Sequence, residues 1–350
     1  EVLLASCKGG PPWPSRGAAG GAGAMAGSGV EAQVLAEFDT AHCGAVHDAQ
    51  LDHFGHCLAT ASADGHVRLW DVRKPEEPSF LADLGDHAGP VYQVCWAYPL
   101  QGVLLASAGA DGRLIIWGRR LKPGEWGLVH SQDLTRHGAM LAVDWAPAER
   151  GAVLACASAD GTVTVVSHTG AVETGEDTVE HRWATHPFQA HRGQASAVAW
   201  ASPRSEPGEH VGLDGARLAT AGDDGVRVWS WDSANSRWDP ETVEIPEGSQ
   251  VAVRDVVWKI WDGVCEMIAA AAGQHVIIWQ QEPADSVEGG KVTWKVTGFM
   301  ELGEEVWKLS FTEQGGVILA SIGEEEQQSI LLKQRLDGCW DAVPVEEESN

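Results

Sequence analysis

The chain is predicted to be all-β, with six copies of one strand-rich unit set as the blades of a propeller. Three observations predict this. A strand–turn–strand segment, LATASADGHVRLWDV (Leu58 to Val72), returns as LASAGADGRLIIW (Leu105 to Trp117) and LACASADGTVTVV (Leu154 to Val166). It returns more loosely as LATAGDDGVRVW (Leu218 to Trp229). The copies recur at roughly 50 residues, and strands repeated at that period are the signature of a β-propeller. Trp is abundant, at 17 residues, and most sit at equivalent places in the repeats, so their role reads as structural.

Each repeat justifies its strands in the same way. LATAS is rich in small and β-branched residues, which suit a buried strand. ADGH is a tight turn in which Gly65 is free to take positive φ. VRLW alternates apolar and polar residues, as a strand with one buried face must. The closing Trp-Asp is the ending from which WD repeats take their name.

Length alone, 350 residues, would allow two domains. The repeats instead use residues 31–345 in one ring. A 44% hydrophobic content is enough for a large core. The formal net charge of -26 disfavours nucleic acid, whose phosphates need clustered Lys and Arg, and disfavours direct binding to anionic membranes. Seven Cys are scattered without a CxxC pair, which suits reduced thiols of the cytosol. No apolar run reaches membrane-spanning length, and VLLAS near the start is too short for a signal-peptide core.

In chain order, residues 1–30 are Gly/Ala/Pro-rich and aperiodic, and are expected to be disordered. The first 24, which precede Met25, read as an upstream extension or translated leader. Inner strands are expected at VHDAQLD (Val46), VYQVCWA (Val91), AVDWAP (Ala142), AVAWASP (Ala197), VRDVVW (Val253) and EVWKLSF (Glu305). Repeat four carries a polar insertion, Ser202 to Ala216, expected to be an exposed, change-tolerant loop. CWDAVPV (Cys339 to Val345) can supply the last outer strand, and residues 346–350 read as a solvated acidic tail.

Candidate chemistry is sparse. His87, Ser107, Asp111 and Trp117 occupy places where a turn Asp, an edge His, a hydroxyl and an indole can form a buried hydrogen-bonded chain. HCGAVHDAQLDHFGHC (His42 to Cys57) is dense in metal-ligating types, but its spacing spreads them over a strand and a turn, so structural histidines are expected rather than zinc. No GxSxG, P-loop, HExxH or Cys–His nucleophile pattern appears. The chain reads as a non-enzyme without cofactor, metal or small-molecule substrate.

VHDAQLDHFGHCLATASADGHVRLWDVR resembles the first blade of the Sec-thirteen family. LADLGDHAGPVYQVCWAYPLQGVLLASAGADGRLIIW and VDWAPAERGAVLACASADGTVTVVSHTG are similar to its second and third blades. The resemblance runs from about Val34 to Val345. Three blades depart from the pattern: AAAAGQH lacks the turn Asp, repeat six carries GEEEQQS, and repeat three ends in Val165-Val166. The resemblance implies a six-bladed scaffold that binds α-solenoid partners: the large outer-coat subunit of the COPII vesicle coat, and an α-helical nucleoporin of the nuclear pore Y-complex. It implies a cytoplasmic location, at the endoplasmic reticulum and COPII vesicles and at the nuclear pore, with membrane association only through the coat. The competing reading is a substrate receptor of a cullin-type ubiquitin ligase, from the WDxR ending Trp70-Asp71-Val72-Arg73.

Counting strands gives one further expectation. If CWDAVPV closes blade six, VLAEF (Val34, Leu35, Ala36, Glu37 and Phe38) is left over. It would stand alone between blades one and six with both edges unpaired, beside a gap for inserted strands. The resemblance implies the same, a blade donated in trans by the partner. Alternatively VLAEF closes blade six and CWDAVPV flanks it.

Overall fold

The computed structural model describes residues 30–32, 38–119, 125–175, 178–202, 212–244, 252–261, 263–282, 293–312, 316–323, 328–335 and 337–347. Each repeat folds as an antiparallel four-stranded sheet, and six such sheets form the propeller. The first strand in the chain, β1 (Val30–Ala32), belongs to the last blade. Blade one is β2 (Val46–Leu51), β3 (Cys57–Ser62), β4 (Val67–Asp71) and β5 (Ser79–Leu84). Blade two is β6 (Val91–Trp96), β7 (Leu104–Gly109), β8 (Arg113–Arg119) and β9 (Trp126–Asp133). Blade three is β10 (Met140–Trp145), β11 (Val153–Ser158), β12 (Thr162–Gly175) and β13 (Thr178–Gln189). Blade four is β14 (Ala195–Trp200), β15 (Arg217–Gly222), β16 (Gly225–Asp232) and β17 (Arg237–Pro240).

Blade five carries β18 (Thr242–Val243) as a parallel fifth strand beyond β19 (Val253–Trp258), β20 (Met267–Ala272), β21 (His275–Gln281) and β22 (Thr293–Glu301). Blade six is β23 (Val306–Phe311), β24 (Val317–Ile322), β25 (Gln328–Gln334) and β26 (Trp340–Glu347). β12 and β13 form a hairpin running well past the other strands, from the Thr162–Gln189 pair out to Gly175–Thr178. Nothing in the repeat pattern announced that extension.

Blades stack face to face, so the second strand of a blade is buried on both sides and must be narrow. Ala59, Ala61, Ala106, Ala108, Ala155 and Ala157 are all fully buried there. Into the space they leave, the next blade's inner strand places larger side chains. Trp96, Trp145, Trp200 and Trp258 close the inner strands of blades two to five, and Trp145 is 1% exposed. Burial of such side chains is worth about 1.5–3 kcal/mol each, which makes blade stacking the main source of stability.

The inner strands also share a register shift at one position, between Val46 and Asp48 in blade one and between Val91 and Gln93 in blade two. The residue after the shift reaches the neighbouring blade. Asp48 Oδ2 accepts from Val94 N at 3.1 Å, Gln93 Oε1 from Val143 N at 2.9 Å, and Asp255 Oδ2 from Leu309 N at 2.8 Å. The strand-end tryptophans add a second link. Trp96, Trp145 and Trp200 donate Nε1–H to the carbonyls of Gln50, Cys95 and Asp144 at 3.0, 3.1 and 3.1 Å.

Within blade two, His87 Nδ1 lies 3.0 Å from Asp111 Oδ1, His87 Nε2 lies 2.8 Å from Ser107 Oγ, and Trp117 Nε1 donates to that hydroxyl at 2.9 Å. The chain is consistent in one direction only: Trp117 donates to Ser107, Ser107 to His87, and neutral His87 to Asp111. Burial pushes the His87 imidazole below its ordinary value, which keeps it neutral. Burial alone would raise Asp111, but the Ala88 N–H and His87 outweigh it and hold the carboxyl below its usual range. His191, Thr220, Asp224 and Trp229 repeat the arrangement in blade four. His42, Thr60 and Asp64 repeat it in blade one without the indole link.

Two boundaries differ from expectation. β26 extends to Glu347, so the acidic tail starts inside a strand: Val345, Glu346 and Glu347 pair with Val30, Glu31 and Ala32. Of the spare strand expected at Val34 to Phe38, residues 34–37 lie outside the described residues and Phe38 is not in a strand. The repeat-four insertion is also less independent than expected. Its residues 203–211 lie outside the described residues, but its end is tied down: Arg150, 4% exposed, donates to the carbonyls of Asp214 and Gly215 at 2.8 Å each.

Two outcomes follow. Asp111→Ala strands His87 and is expected to cost about 1–3 kcal/mol at pH 7, read as a lower thermal midpoint. Because the depressed carboxyl contributes only when ionised, that deficit shrinks as pH falls below about 4. Replacing 203–211 by a short linker leaves the midpoint unchanged, whereas removal through Gly215 lowers it, since Arg150 then keeps a buried guanidinium without its acceptors.

Candidate functional site: the junction of blades six and one

Five apolar clusters seal five junctions. One joins blades one and two through Ala59, Leu69, Val94 and Trp96. The others join two with three, three with four, four with five and five with six. Among the described residues no such cluster joins blade six to blade one.

The side chains that would form it are present and half-exposed. On the inner strands, the first, fourth and sixth residues face the preceding blade: Val91, Val94 and Trp96 in blade two, or Val253, Val256 and Trp258 in blade five, all buried. In blade one the same positions are Val46, Ala49 and Leu51, and none is buried. On the other side, β24 alternates between buried Ile318, Ala320 and Ile322, which pack on blade five, and half-buried Val317, Leu319 and Ser321. Leu319 aligns with Ala59, Ala106, Ala155, Ala219 and Ala269 of the other second strands, each fully buried. On β25, Leu331 pairs with Leu319 and is likewise half-buried. An apolar face with Leu where the sealed junctions have Ala thus lies opposite a face with Leu where four of the five have Trp and the fifth Phe311.

The polar links are missing for chemical reasons. Lys308 occupies the register-shift position that is Asp48, Gln93 and Asp255 in three blades and Ala142 and Ala197 in the other two. An ammonium has no acceptor for a neighbouring N–H. Leu51 replaces the strand-end Trp, so blade one has no indole N–H to offer blade six. Lys308 is exposed to solvent; partial desolvation lowers its pKa, but the carboxylates of Asp48 and Asp255 outweigh it and hold the ammonium above its ordinary value. Asp144, on the inner strand of blade three, is pushed up to about 6 by desolvation.

The other residues marked by sequence fall as follows. Of Val34 to Phe38, only Phe38 lies within the described residues. It is not in a strand, and its ring meets Trp70 of blade one edge-on at 5.2 Å. The paired N-terminal strand lies upstream, at Val30–Ala32. In the histidine-rich segment, His42 bonds Asp64 and Thr60, His47 bonds the Val91 carbonyl at 2.9 Å, and His53 stacks on Tyr98 at 4.7 Å. Among the described residues no three His, Cys, Asp or Glu side chains converge as a metal site. In the WDxR ending, Trp70 packs between Phe38 and Phe80, while exposed Arg73 holds the Asp71 carboxyl down at about 2. Sequence reasoning did not single out Lys308, Leu51, Leu319 or Leu331. Aligning the six repeats position by position exposes all four as departures.

Fold and repeat chemistry define the class, a WD40 β-propeller, and the family model "WD domain, G-beta repeat" matches residues 33–71 and 78–118. The chain is similar over most of its length to three curated proteins. "Protein SEC13 homolog" of Drosophila melanogaster is 34% identical over 324 residues, covering 89% of this chain and 84% of that protein. "Protein transport protein SEC13" of Cryptococcus neoformans is 31% identical, covering 87% and 95%, and that of Mycosarcoma maydis is 29% identical, covering 91% and 96%. The chain belongs to the SEC13 family.

A stability comparison reads the open junction directly. Ile318→Ala removes a side chain buried against blade five and is expected to cost about 2–5 kcal/mol. Leu319→Ala, one residue on, costs less than about 1 kcal/mol in the isolated chain, because no blade covers it. Equal losses in chemical denaturation would mean that the junction is sealed.

Proposed function

We propose that this chain is a non-enzymatic scaffold subunit of a protein-transport vesicle coat. It joins the coat by accepting strands of a partner into the junction between blades six and one. The unsealed junction carries this reading. Its two faces carry apolar side chains left half-exposed, and no apolar cluster among the described residues joins them. A donated blade would cover Val46, Ala49 and Leu51 on one side and Val317, Leu319 and Leu331 on the other, giving both the burial their counterparts have. The names of the relatives, "Protein transport protein SEC13", support the transport role.

At finer grain, the coat is COPII, acting from the endoplasmic reticulum, and the partner is its large α-solenoid outer-coat subunit. A second setting is the nuclear pore, where an α-helical nucleoporin would donate the blade. Val34, Leu35, Ala36, Glu37 and Phe38, between the strand on blade six and the start of blade one, would border the inserted strands.

Affinity purification from the native cell tests this. The expected result is a stoichiometric α-solenoid partner that is lost from Leu319→Asp/Leu331→Asp, while that variant keeps the thermal midpoint of the isolated chain. Retention of the partner by the variant, or recovery of a cullin-ligase adaptor in its place, contradicts the proposal.

A further inference from the structure

Every sealed junction divides bulk between its two blades in one way. The second strand of one blade offers a methyl group, and the inner strand of the next fills the space. Ala59 shares a cluster with Val94 and Trp96, and Ala106 with Val143 and Trp145. Ala155 shares one with Val198 and Trp200, and Ala219 with Val256 and Trp258. Between blades five and six the same places hold Ala269, Leu309 and Phe311. The alanines are fully buried, so contact fixes side-chain size at these places.

The junction of blades six and one reverses that division on both sides. Blade six carries the isobutyl group of Leu319 where the others carry a methyl. Blade one carries Ala49 where the others carry Val or Leu, and Leu51 where they carry Trp or Phe. The neighbouring positions keep ordinary sizes. Ser321 stands close to the bulk of Ala61 and Ala157, its counterparts, and Val46 matches Val91, Val253 and Val306.

A blade built on the repeat's own pattern does not fit between these faces. Its inner strand brings Val and Trp against Leu319, where overpacking is destabilising. Its second strand brings Ala against Ala49 and Leu51 and leaves a void, whose lining loses its packing contacts. Moving the whole blade toward blade one to clear Leu319 presses it on Val46 and parts it from Ser321. Misfit to the wrong partner is as much a source of specificity as fit to the right one.

We infer that Leu319, Ala49 and Leu51 select the donated strands by size and reject a WD repeat. The donated inner strand, facing Leu319, carries side chains smaller than Val and Trp. The donated second strand, facing Ala49 and Leu51, carries side chains larger than Ala. This rests on the reading of the junction as the place where strands of a partner enter.

The test has two arms. In the first, a copy of blade two, residues 85–133, is joined to the end of the full chain by a Gly/Ser linker and supplies a seventh WD blade. Ser321→Cys is the reporter, because the counterparts of Ser321 at sealed junctions are fully buried, and site-resolved mass spectrometry follows its reaction with a maleimide. The copy is expected to leave modification at position 321 unchanged in the otherwise native chain. With Leu319→Ala/Ala49→Val/Leu51→Trp it slows that modification about tenfold or more. In the second arm the native chain retains its partner on affinity purification, and the triple variant, with an unchanged thermal midpoint, loses it. Leu319→Ala/Ala49→Val, which exposes no added indole, repeats both readouts. Equal protection by the copy in both chains, protection in neither, or retention of the partner by the triple variant overturns the size selection. Failure of the native chain to capture any α-solenoid partner overturns the proposed function instead, and the first arm, which uses no partner, still decides the size selection.

Discussion

A blade's second strand has two faces and can bury both only if a blade lies on each side of it. The rest of the structure depends on that constraint. It selects Ala at Ala59, Ala106, Ala155, Ala219 and Ala269, because a strand pressed from both sides has no room for more. It lets the next blade bring Val and Trp against those alanines at native packing density. Where one neighbour is absent, the selection relaxes. β24 then carries Leu319 on its uncovered side and keeps Ile318, Ala320 and Ile322 on its covered side.

Polar groups follow the packing. At the first three sealed junctions an inner-strand acceptor meets a backbone N–H, and an indole N–H meets a carbonyl. Each link satisfies a group that stacking removes from water. At the junction of blades six and one the chain supplies Lys308 and Leu51 instead, so neither of these two links forms there among the described residues. The blade four–five junction shows that the links are not all required. Ala197 has no acceptor to offer, and Ser196 Oγ donates to the Val253 carbonyl in compensation. Its apolar cluster is complete all the same, with Trp258, Ile268 and Trp279 buried. Apolar cover, rather than any one hydrogen bond, thus separates a sealed junction from an open one.

Much of this was legible in sequence. The six blades, their inner strands and the outer-strand role of CWDAVPV follow from repeat spacing and period-two alternation, which are local signals. The β12–β13 extension was not legible, because SHTGAVETG has neither the turn nor the alternation of the repeat. Nor was the pairing of β1 with β26, which joins residues at opposite ends of the chain over three positions and leaves no pattern at either end. The docking of Gly212 to Gly215 on Arg150 was hidden for a related reason. A polar, Gly-rich loop reads as solvated, and only the structure reveals that a buried guanidinium needs its carbonyls. The open junction lies between these cases. Its residues look ordinary one at a time, and become informative only when Lys308, Leu51 and Leu319 are set beside their counterparts in five other blades.

The central claim is that blade six presents an uncovered face toward blade one in the isolated chain. Thiol accessibility measures it most directly. Leu319→Cys and Ala155→Cys place a thiol at equivalent positions of an open and a sealed junction, and site-resolved mass spectrometry follows their reaction with a bulky maleimide under native conditions. The account predicts rapid modification at position 319 and protection at 155 until the chain unfolds. Equal protection at both positions would show a closed ring and contradict it.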